Sequence, residues 1–511
     1  MRRVAIAALF VIGALRCGDI ATSPAFAQRT DEPPPGSVPR AVTVARATAI
    51  PNCTVFVDAA ADGRGDGTVQ KPHRTIAATV AAADNGAVIC VADGTYAESL
   101  SPGTKYFTVA GGFQRGKDFK VRDSARYVSR AKGNGRGSFI RIEDPGPKGD
   151  QLTAIDGFDI SGYSQAIYRS VYYSQRFDIT NNFVHDNRCT DPSLVGAGFS
   201  LNNVSGKIHG NVFRDNRCGR GGAGTLGDDA KENSVSIERN HIDGNAGTEP
   251  DSAHGGGLYL FAKTLTITGN LFTGNTVTRW GAGLFIGAYT AGGQHTSASL
   301  RWNVYRNNRA GAAGGGLFCD DGASCVSDHE IYDRNCGGNI YLDGGPGGSG
   351  PTTARFDHLT NVGARDVGCQ APGDGVRIDK DNGAPDSYSF VNAIFWGNAP
   401  GRDFAVACSQ GCRALKANVS FSMVQTSYAK DGATITFGTG NVAPADPLFA
   451  DAETGDFHLK SAAGRWTPSG YVKDTATSPT LGKSSPAAAA RVGKQTELGA
   501  YGNSGEASRI P

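Results

Sequence analysis

Between Phe177 and Asn398 apolar and polar positions alternate in short runs that break at Gly and Asn. In Leu265-Thr-Ile267-Thr-Gly-Asn270-Leu-Phe272-Thr-Gly-Asn275, every second residue is apolar, the period of a strand with one buried face, and each run ends where a turn is favoured. The same unit occurs at Asn182–Asn187, Asn211–Asn216, Asn240–Asn245, Asn270–Asn275 and Asn303–Asn308, so its closing Asn recurs after 29, 29, 30 and 33 residues, and then at Asn335 and Asn398. A repeat of this period predicts stacked coils. Asn tolerates the left-handed backbone of tight turns and bonds nearby backbone groups, so one Asn per coil predicts a ladder inside the turn. Gly and Asn at this density would break helices, which excludes a helical solenoid. The expected fold is all-β: a right-handed parallel β-helix whose strands lie ~4.8 Å apart along its axis.

The short strands after each Gly-x-Gly or Gly-Gly-Gly can be aligned, and their first and third positions are apolar and predicted to point inward. The second position then forms an outward column: Ser200, Leu226, Tyr259, Phe285, Phe318, Tyr341, Arg377. The fourth carries Asp320, Asp343 and Asp379 on successive strands, with Asp228 further back. Aromatic rings stack on pyranose faces and carboxylates accept hydroxyl hydrogen bonds. Tyr259, Phe285, Phe318 and Tyr341 are therefore the candidate substrate-binding residues for a polysaccharide. Asp320, Asp343, Asp379 and Arg377 are the candidate catalytic ones, because paired carboxylates can act as acid and base or nucleophile and Arg can neutralise a uronate. The competing reading is an aromatic ladder beneath a long loop, which residues 288–299 or 344–353 could supply, with Asp side chains that only accept turn N–H groups.

The ends set the compartment. Arg2 and Arg3 precede an apolar run from Val4 to Leu15, and Ala25-Phe26-Ala27 offers a small-x-small cleavage site, so a secretory signal peptide over residues 1–27 is expected. Residues 28–50, with Pro33-Pro34-Pro35, read as a disordered lead-in. Without residues 1–27 the 50 basic and 48 acidic residues lose Arg2, Arg3, Arg16 and Asp19, leaving 47 of each. No field of one sign favours nucleic acid, and no run is long enough to insert in a membrane. Of eleven Cys, ten remain after Cys17 is removed, which in an exported chain predicts disulfides. Cys189 and Cys218 hold equivalent places in successive repeats, within bridging range. Cys53 with Cys90 and Cys408 with Cys412 are the next expected pairs; Cys319, Cys325, Cys336 and Cys369 leave three pairings open.

Resemblances extend this picture. Thr54-Val-Phe56-Val, the Ala-rich stretch to Ala83, Ala87-Val-Ile89-Cys-Val91 and Asp93-Gly-Thr-Tyr96 resemble the opening of secreted right-handed parallel β-helix proteins, including polysaccharide lyases of the pectin-lyase-like superfamily. That implies an N-terminal cap over 51–106, with a helix on the first coil, and the β-helix proper over 107–440. Phe213 to Asn216, Phe272 to Asn275 and Phe395 to Asn398 resemble the Phe-x-x-Asn motifs of polymorphic outer-membrane proteins, surface adhesins. That family ends in a membrane barrel, whereas here the tail to Ile510-Pro511 lacks barrel-like strands. Asp446-Pro-Leu-Phe449, Gly455-Asp-Phe457-His-Leu459 and Leu498-Gly-Ala-Tyr501-Gly are similar to the closing segment of exported bacterial β-helix proteins, implying a C-terminal cap over 441–511. Asp228-Asp229, His254-Gly255 and Arg377-Ile378 echo the polygalacturonase signature in order, without its Asn-Thr-Asp element. The expectation is an exported, cell-surface or periplasmic monomer that binds polysaccharide along its outer face. The alternatives are a lyase or glycoside hydrolase of the same fold, and a structural spacer. No cofactor is required, and Ca²⁺ is admitted for a uronate substrate.

Overall fold

A computed structural model describes residues 45–510 except 228–233, 289–295, 321, 345–351, 366–368, 370–372, 381–386, 399–401, 409–414 and 493–495. The expected signal peptide and most of the lead-in fall outside these residues. The chain forms a right-handed parallel β-helix with three long sheets. The first runs from Val55–Val57 to Thr434–Phe437, the second from Gly94–Tyr96 to Met423–Val424 and the third from Ile140–Glu143 to Ser427–Ala429. Each strand pairs in parallel with its counterpart one coil away: Ser234↔Thr264↔Ser297 in the first sheet, Ile242↔Phe272↔Tyr305 in the second, Tyr259↔Phe285↔Phe318 in the third.

The repeated Asn residues are the hinges between sheets, and they form two ladders. Asn182, Asn211, Asn240, Asn270 and Asn303 line the turn from first to second sheet. Asn187, Asn216, Asn245, Asn275, Asn308 and Asn335 line the next one; all are fully buried. Asn182 Oδ1 and Asn187 Oδ1 accept from the backbone N–H of Phe158 and Tyr163, and each later Asn Oδ1 accepts from both the backbone N–H and the side-chain amide of the preceding Asn. For Asn245 these donors are Asn216 N and Nδ2, both at 3.0 Å. The amide of Asn245 in turn donates to Asn275 Oδ1 and to the carbonyl of Phe213, both at 3.0 Å. The turn N–H groups, which no sheet can pair, are thereby satisfied away from water. The first ladder ends on a carboxyl: Glu330 Oε1 accepts from Asn303 N and Nδ2 at 3.0 and 2.9 Å, and complete burial pushes its pKa up to about 8.

Apolar residues of all three sheets fill the interior, including the repeat's own ring, with Phe272, Tyr305 and Tyr332 stacked at 4.8 and 4.5 Å. Gly-x-Gly is required where coils approach most closely. A Cβ on Gly283 would lie 2.6 Å from the carbonyl oxygen of Gly316, and one on Gly316 would lie 2.5 Å from that of Asn339. Disulfides join Cys53 to Cys90 and Cys189 to Cys218, both expected pairs, the latter at equivalent places in successive repeats with Cα atoms 4.8 Å apart. Of the three open pairings the structure takes Cys319–Cys325 and Cys336–Cys369. Cys408 is disulfide-bonded too, and its expected partner Cys412 lies outside the described residues. Such a set suits an oxidising, extracytoplasmic compartment. Among the described residues no helix is long and apolar enough to cross a membrane.

The helix Ile76–Ala82 starts at Thr75, whose hydroxyl accepts from Ala78 N, and buries Ile76, Thr79 and Val80 against the first coil. The closing segment does not continue the repeat. Phe457, Ala500 and Tyr501 pack on Leu271, Trp302, Val304 and Ile331, and Leu459, Leu481 and Leu498 pack on Ile394 and Met423. The tail thus folds back along the outside of the second sheet, with two antiparallel hairpins and a second helix, Pro486–Val492. The closing segment thereby covers part of the second sheet and its turn with the first, where His329 and His358 are buried, while the second Asn ladder adjoins the third sheet through Asn335 and Asn339.

Candidate functional site

The third sheet positions the sequence-predicted residues in the expected order. Leu258, Leu260, Leu284, Ile286, Leu317, Cys319, Ile340, Leu342, Val376 and Ile378 point inward and are buried. Between them Tyr259, Phe285, Phe318, Tyr341 and Arg377 occupy one register. Phe285, Phe318 and Tyr341 stack nearly parallel, with centroids 5.0 and 4.9 Å apart. The column is not the open platform that alternation suggested. Phe285 and Phe318 are each only 2% exposed, and Tyr259 and Tyr341 are half-buried. The reason lies in the flanks: His254 and Trp280 come from the glycine turns ahead of the strands, 4.9 Å from Phe285 and 5.8 Å from Phe318, and Phe261 closes the other side.

At one end of the column polar groups converge. Asp343 and Asp379 are in register on adjacent strands, next to Tyr341 and Arg377. Arg377 Nη2 donates to Asp379 Oδ2 at 2.9 Å, and the Tyr341 hydroxyl donates to the same oxygen at 3.4 Å. The guanidinium also lies 5.8 Å from the centre of the Tyr341 ring. Burial, with the Asp343 and Asp379 carboxylates beside it, raises the Tyr341 pKa far above its ordinary value, so its proton stays available for donation. Burial works against the charge of Arg377, but Tyr341 and the Asp379 hydrogen bond outweigh it and raise its pKa. Asp320 follows Cys319, whose strand partner is Leu342, and so stands one step from Asp343, in a turn closed by the Cys319–Cys325 disulfide. Beyond Arg377, Asp374 is nearly fully buried and pairs with Arg402 at 2.7 Å. Asp320, Asp343 and Asp379 remain half-buried at the surface. The arrangement supplies three acceptor carboxylates, one fixed cation and one phenol donor over about two strand spacings, roughly 10 Å.

Not every expected group joins it. Asp228 and Asp229 lie outside the described residues. His254 sits at the far end, four strands before Arg377 or roughly 19 Å away, so the polygalacturonase-like order does not assemble into one site. Burial, then the nearby Arg220 and Arg279, push the His254 pKa down to about 4. A histidine held below its unfolded value stays neutral in the fold while the unfolded chain takes up a proton. Its contribution is thus present above about 6.5 and lost as pH falls toward about 4. Replacing His254 by Gln should flatten that part of the stability profile, measured as thermal midpoints from pH 4 to 7.5 against the parent. An unchanged slope would mean that His254 is not the group responsible. His185 and His209 lie beside Asp159 and Glu238, at 3.0 and 3.5 Å, and not at the column.

The stacked sheets, the Asn ladders and this carboxylate-lined face define a right-handed parallel β-helix with a polar cluster on its third sheet. The family described as "Right handed beta helix region" matches residues 165–352, and the one described as "Disaggregatase related" matches residues 416–484. No curated protein matches. Among solved structures the chain is similar to a complex of XylC with xylose (10% identity, 80% of this chain and 89% of that one, TM-score 0.42). It is also similar to pectate lyase Pel9A (12%, 88% and 97%, TM-score 0.34) and to the periplasmic alginate epimerase AlgG (11%, 70% and 77%, TM-score 0.34). The fold itself stands on the parallel register of its strands.

Proposed function

We propose that this is an exported β-helix protein that binds an extracellular polysaccharide on its third sheet, around Tyr341, Asp343, Arg377 and Asp379, with Asp320 alongside. The observation that carries the reading is the register of Asp343 with Asp379 beside a Tyr and an Arg that both bond the same carboxylate oxygen. Asp379 Oδ2, fixed by two donors, holds Tyr341 and Arg377 in place without further side-chain ordering, and because Asp379 Oδ1 is shut off from solvent the carboxylates that meet sugar hydroxyls are the half-buried Asp320 and Asp343. The half-buried rings of Tyr259 and Tyr341 offer apolar edges to a pyranose, and Phe285 and Phe318 act as the support beneath. Arg377 suits an acidic sugar. Ca²⁺ between Asp320 or Asp343 and a uronate carboxylate fits the same set of oxygens.

The second reading, a glycosidase or lyase, draws on the same pair: carboxylates on adjacent strands stand near the ~5 Å separation of retaining hydrolases. Asp343→Asn distinguishes the two. The amide keeps the shape and loses the charge and proton transfer, so it should abolish turnover, if there is any, while a glycan stays bound. Asp379→Asn should weaken retention about tenfold or more, because the carboxylate oxygen that orients both Arg377 and Tyr341 is lost. Affinity electrophoresis in gels containing the polysaccharide reads both. Retention unchanged in both variants, with no cleavage in the parent, would leave a structural spacer.

A further inference from the structure

A second constellation lies outside this face, at the turn between the first and second sheets where the closing segment docks. The sequence holds two Asp-His pairs one repeat apart, Asp328-His329 and Asp357-His358, and the structure stacks them: Asp328 is the strand partner of Asp357. Both histidines sit in the left-handed position of the turn, with φ of 61° and 51°. Their rings lie parallel, centroids 4.7 Å apart, with Trp302 covering His329 at 4.0 Å. His329 is 3% exposed and His358 0%.

Three polar atoms converge there: Asp328 Oδ1 lies 2.6 Å from His329 Nδ1 and 3.8 Å from His358 Nδ1. Each is shut off from solvent, and none makes a hydrogen bond of acceptable geometry. The tautomer of His329 sharpens the point. Its Nε2 lies 2.7 Å from the carbonyl oxygen of Gly502 in the closing segment, so the ring proton belongs on Nε2 and Nδ1 presents a bare lone pair to a carboxylate. Two lone pairs at hydrogen-bond distance repel, and buried polar atoms left unpaired are costly. His358 Nδ1 also faces Asp357 Oδ1 at 3.0 Å, and one cation among these atoms answers both imidazole nitrogens and the Asp328 carboxylate together. A histidine that gives its outer N–H to a backbone carbonyl while its other nitrogen faces inward has the outer-shell arrangement of metal-ligating imidazoles.

We propose that Asp328, His329 and His358 form a binding site for a divalent metal ion of the Zn²⁺ type, which fastens the closing segment to the β-helix through His329 and Gly502. Two imidazoles and one carboxylate suit Zn²⁺, Co²⁺ or Ni²⁺ and not Ca²⁺, which takes oxygen ligands. The three donor atoms lie within 4.8 Å of one another. Ligands about 2.0–2.1 Å from a tetrahedral ion stand roughly 3.3 Å apart, so Asp328 Oδ1 and His329 Nδ1 would part by less than an ångström while His358 Nδ1 closes in, movements that ring rotation supplies. Arg301, 2.8 Å from Asp328 Oδ2, holds the carboxylate from its other side, so Oδ1 stays turned to the site. The ion would stand at the turn between the first and second sheets, not on the third sheet that carries the glycan face, and would serve adhesion of the tail rather than sugar chemistry. The claim is therefore independent of the function proposed above.

The test uses the full exported chain, stripped with a chelator and titrated with Co²⁺ and Zn²⁺. One equivalent of Co²⁺ should bind, with the intense visible bands of a four-coordinate site and two paramagnetically shifted imidazole N–H resonances, and Zn²⁺ should displace it. Zn²⁺ should raise the thermal midpoint and protect the tail beyond Asp446 from limited proteolysis. His329→Gln and His358→Gln should each weaken binding at least tenfold, while His209→Gln, on another part of the surface, should bind as the parent does. A parent chain that shows no Co²⁺ bands and no shifted imidazole signals overturns the site whether or not the variants fold. Variants that bind as tightly as the parent place the metal elsewhere and overturn it too.

Discussion

Asn245→Ala should be among the most destabilising single substitutions in the chain, costing about 3–5 kcal/mol, because one side chain serves four buried groups. Its Oδ1 accepts from Asn216 N and Nδ2, and its amide donates to Asn275 Oδ1 and to the Phe213 carbonyl. Alanine leaves all four without that partner in a turn that water does not reach, and each orphaned group costs about 1–3 kcal/mol, partly recovered by relaxation. Asn245→Asp keeps the acceptor but removes the donor and buries a charge, so it should be no better. Chemical denaturation at neutral pH checks both. A loss below about 1 kcal/mol would mean that the ladder is decoration on a turn held by the backbone alone.

Phe318→Ala carries the next largest effect, about 3–5 kcal/mol, the range for a buried aromatic. Phe318 is 2% exposed and stacked between Phe285 at 5.0 Å and Tyr341 at 4.9 Å, with Trp280 beside it, so truncation opens a cavity in the middle of a column. An exposed sugar platform would behave otherwise, losing glycan with a stability change within about 0.5 kcal/mol. Tyr341→Phe is the companion measurement. It removes one donor from Asp379 and little volume, and should lower glycan retention severalfold with a small change in the denaturation midpoint.

Periodicity made most of the fold legible. Strand, turn and coil follow from alternation interrupted by Gly and Asn, and the pairing of Cys189 with Cys218 follows from equal positions in successive repeats. The order of Tyr259, Phe285, Phe318, Tyr341 and Arg377 was legible for the same reason. Their burial was not, since His254, Trp280 and Phe261 reach the column from turns whose side-chain directions no period sets. Cys319–Cys325 and Cys336–Cys369 were open because their segments depart from the repeat length. The docking of the tail could not be read at all: His329 meets Gly502 across 173 residues, and no alternation relates the two. The recurrence of Asp-His after one repeat, at 328–329 and 357–358, was a visible signal for the clustered histidines, and it becomes a constellation only once Asp328 and Asp357 are known to be strand partners.

The central claim is that the third sheet binds polysaccharide at Asp343, Arg377 and Asp379. It is tested most directly by retention of the mature protein in gels containing a panel of uronate-rich and neutral polysaccharides, with and without Ca²⁺, while unsaturated products and reducing ends are followed in parallel. Selective retardation by at least one acidic polysaccharide, lost on Asp379→Asn with Arg377→Ala and kept in the folded Tyr259→Phe variant, is the predicted result. Equal mobility of parent and double variant in every gel, with no product formed, would contradict it.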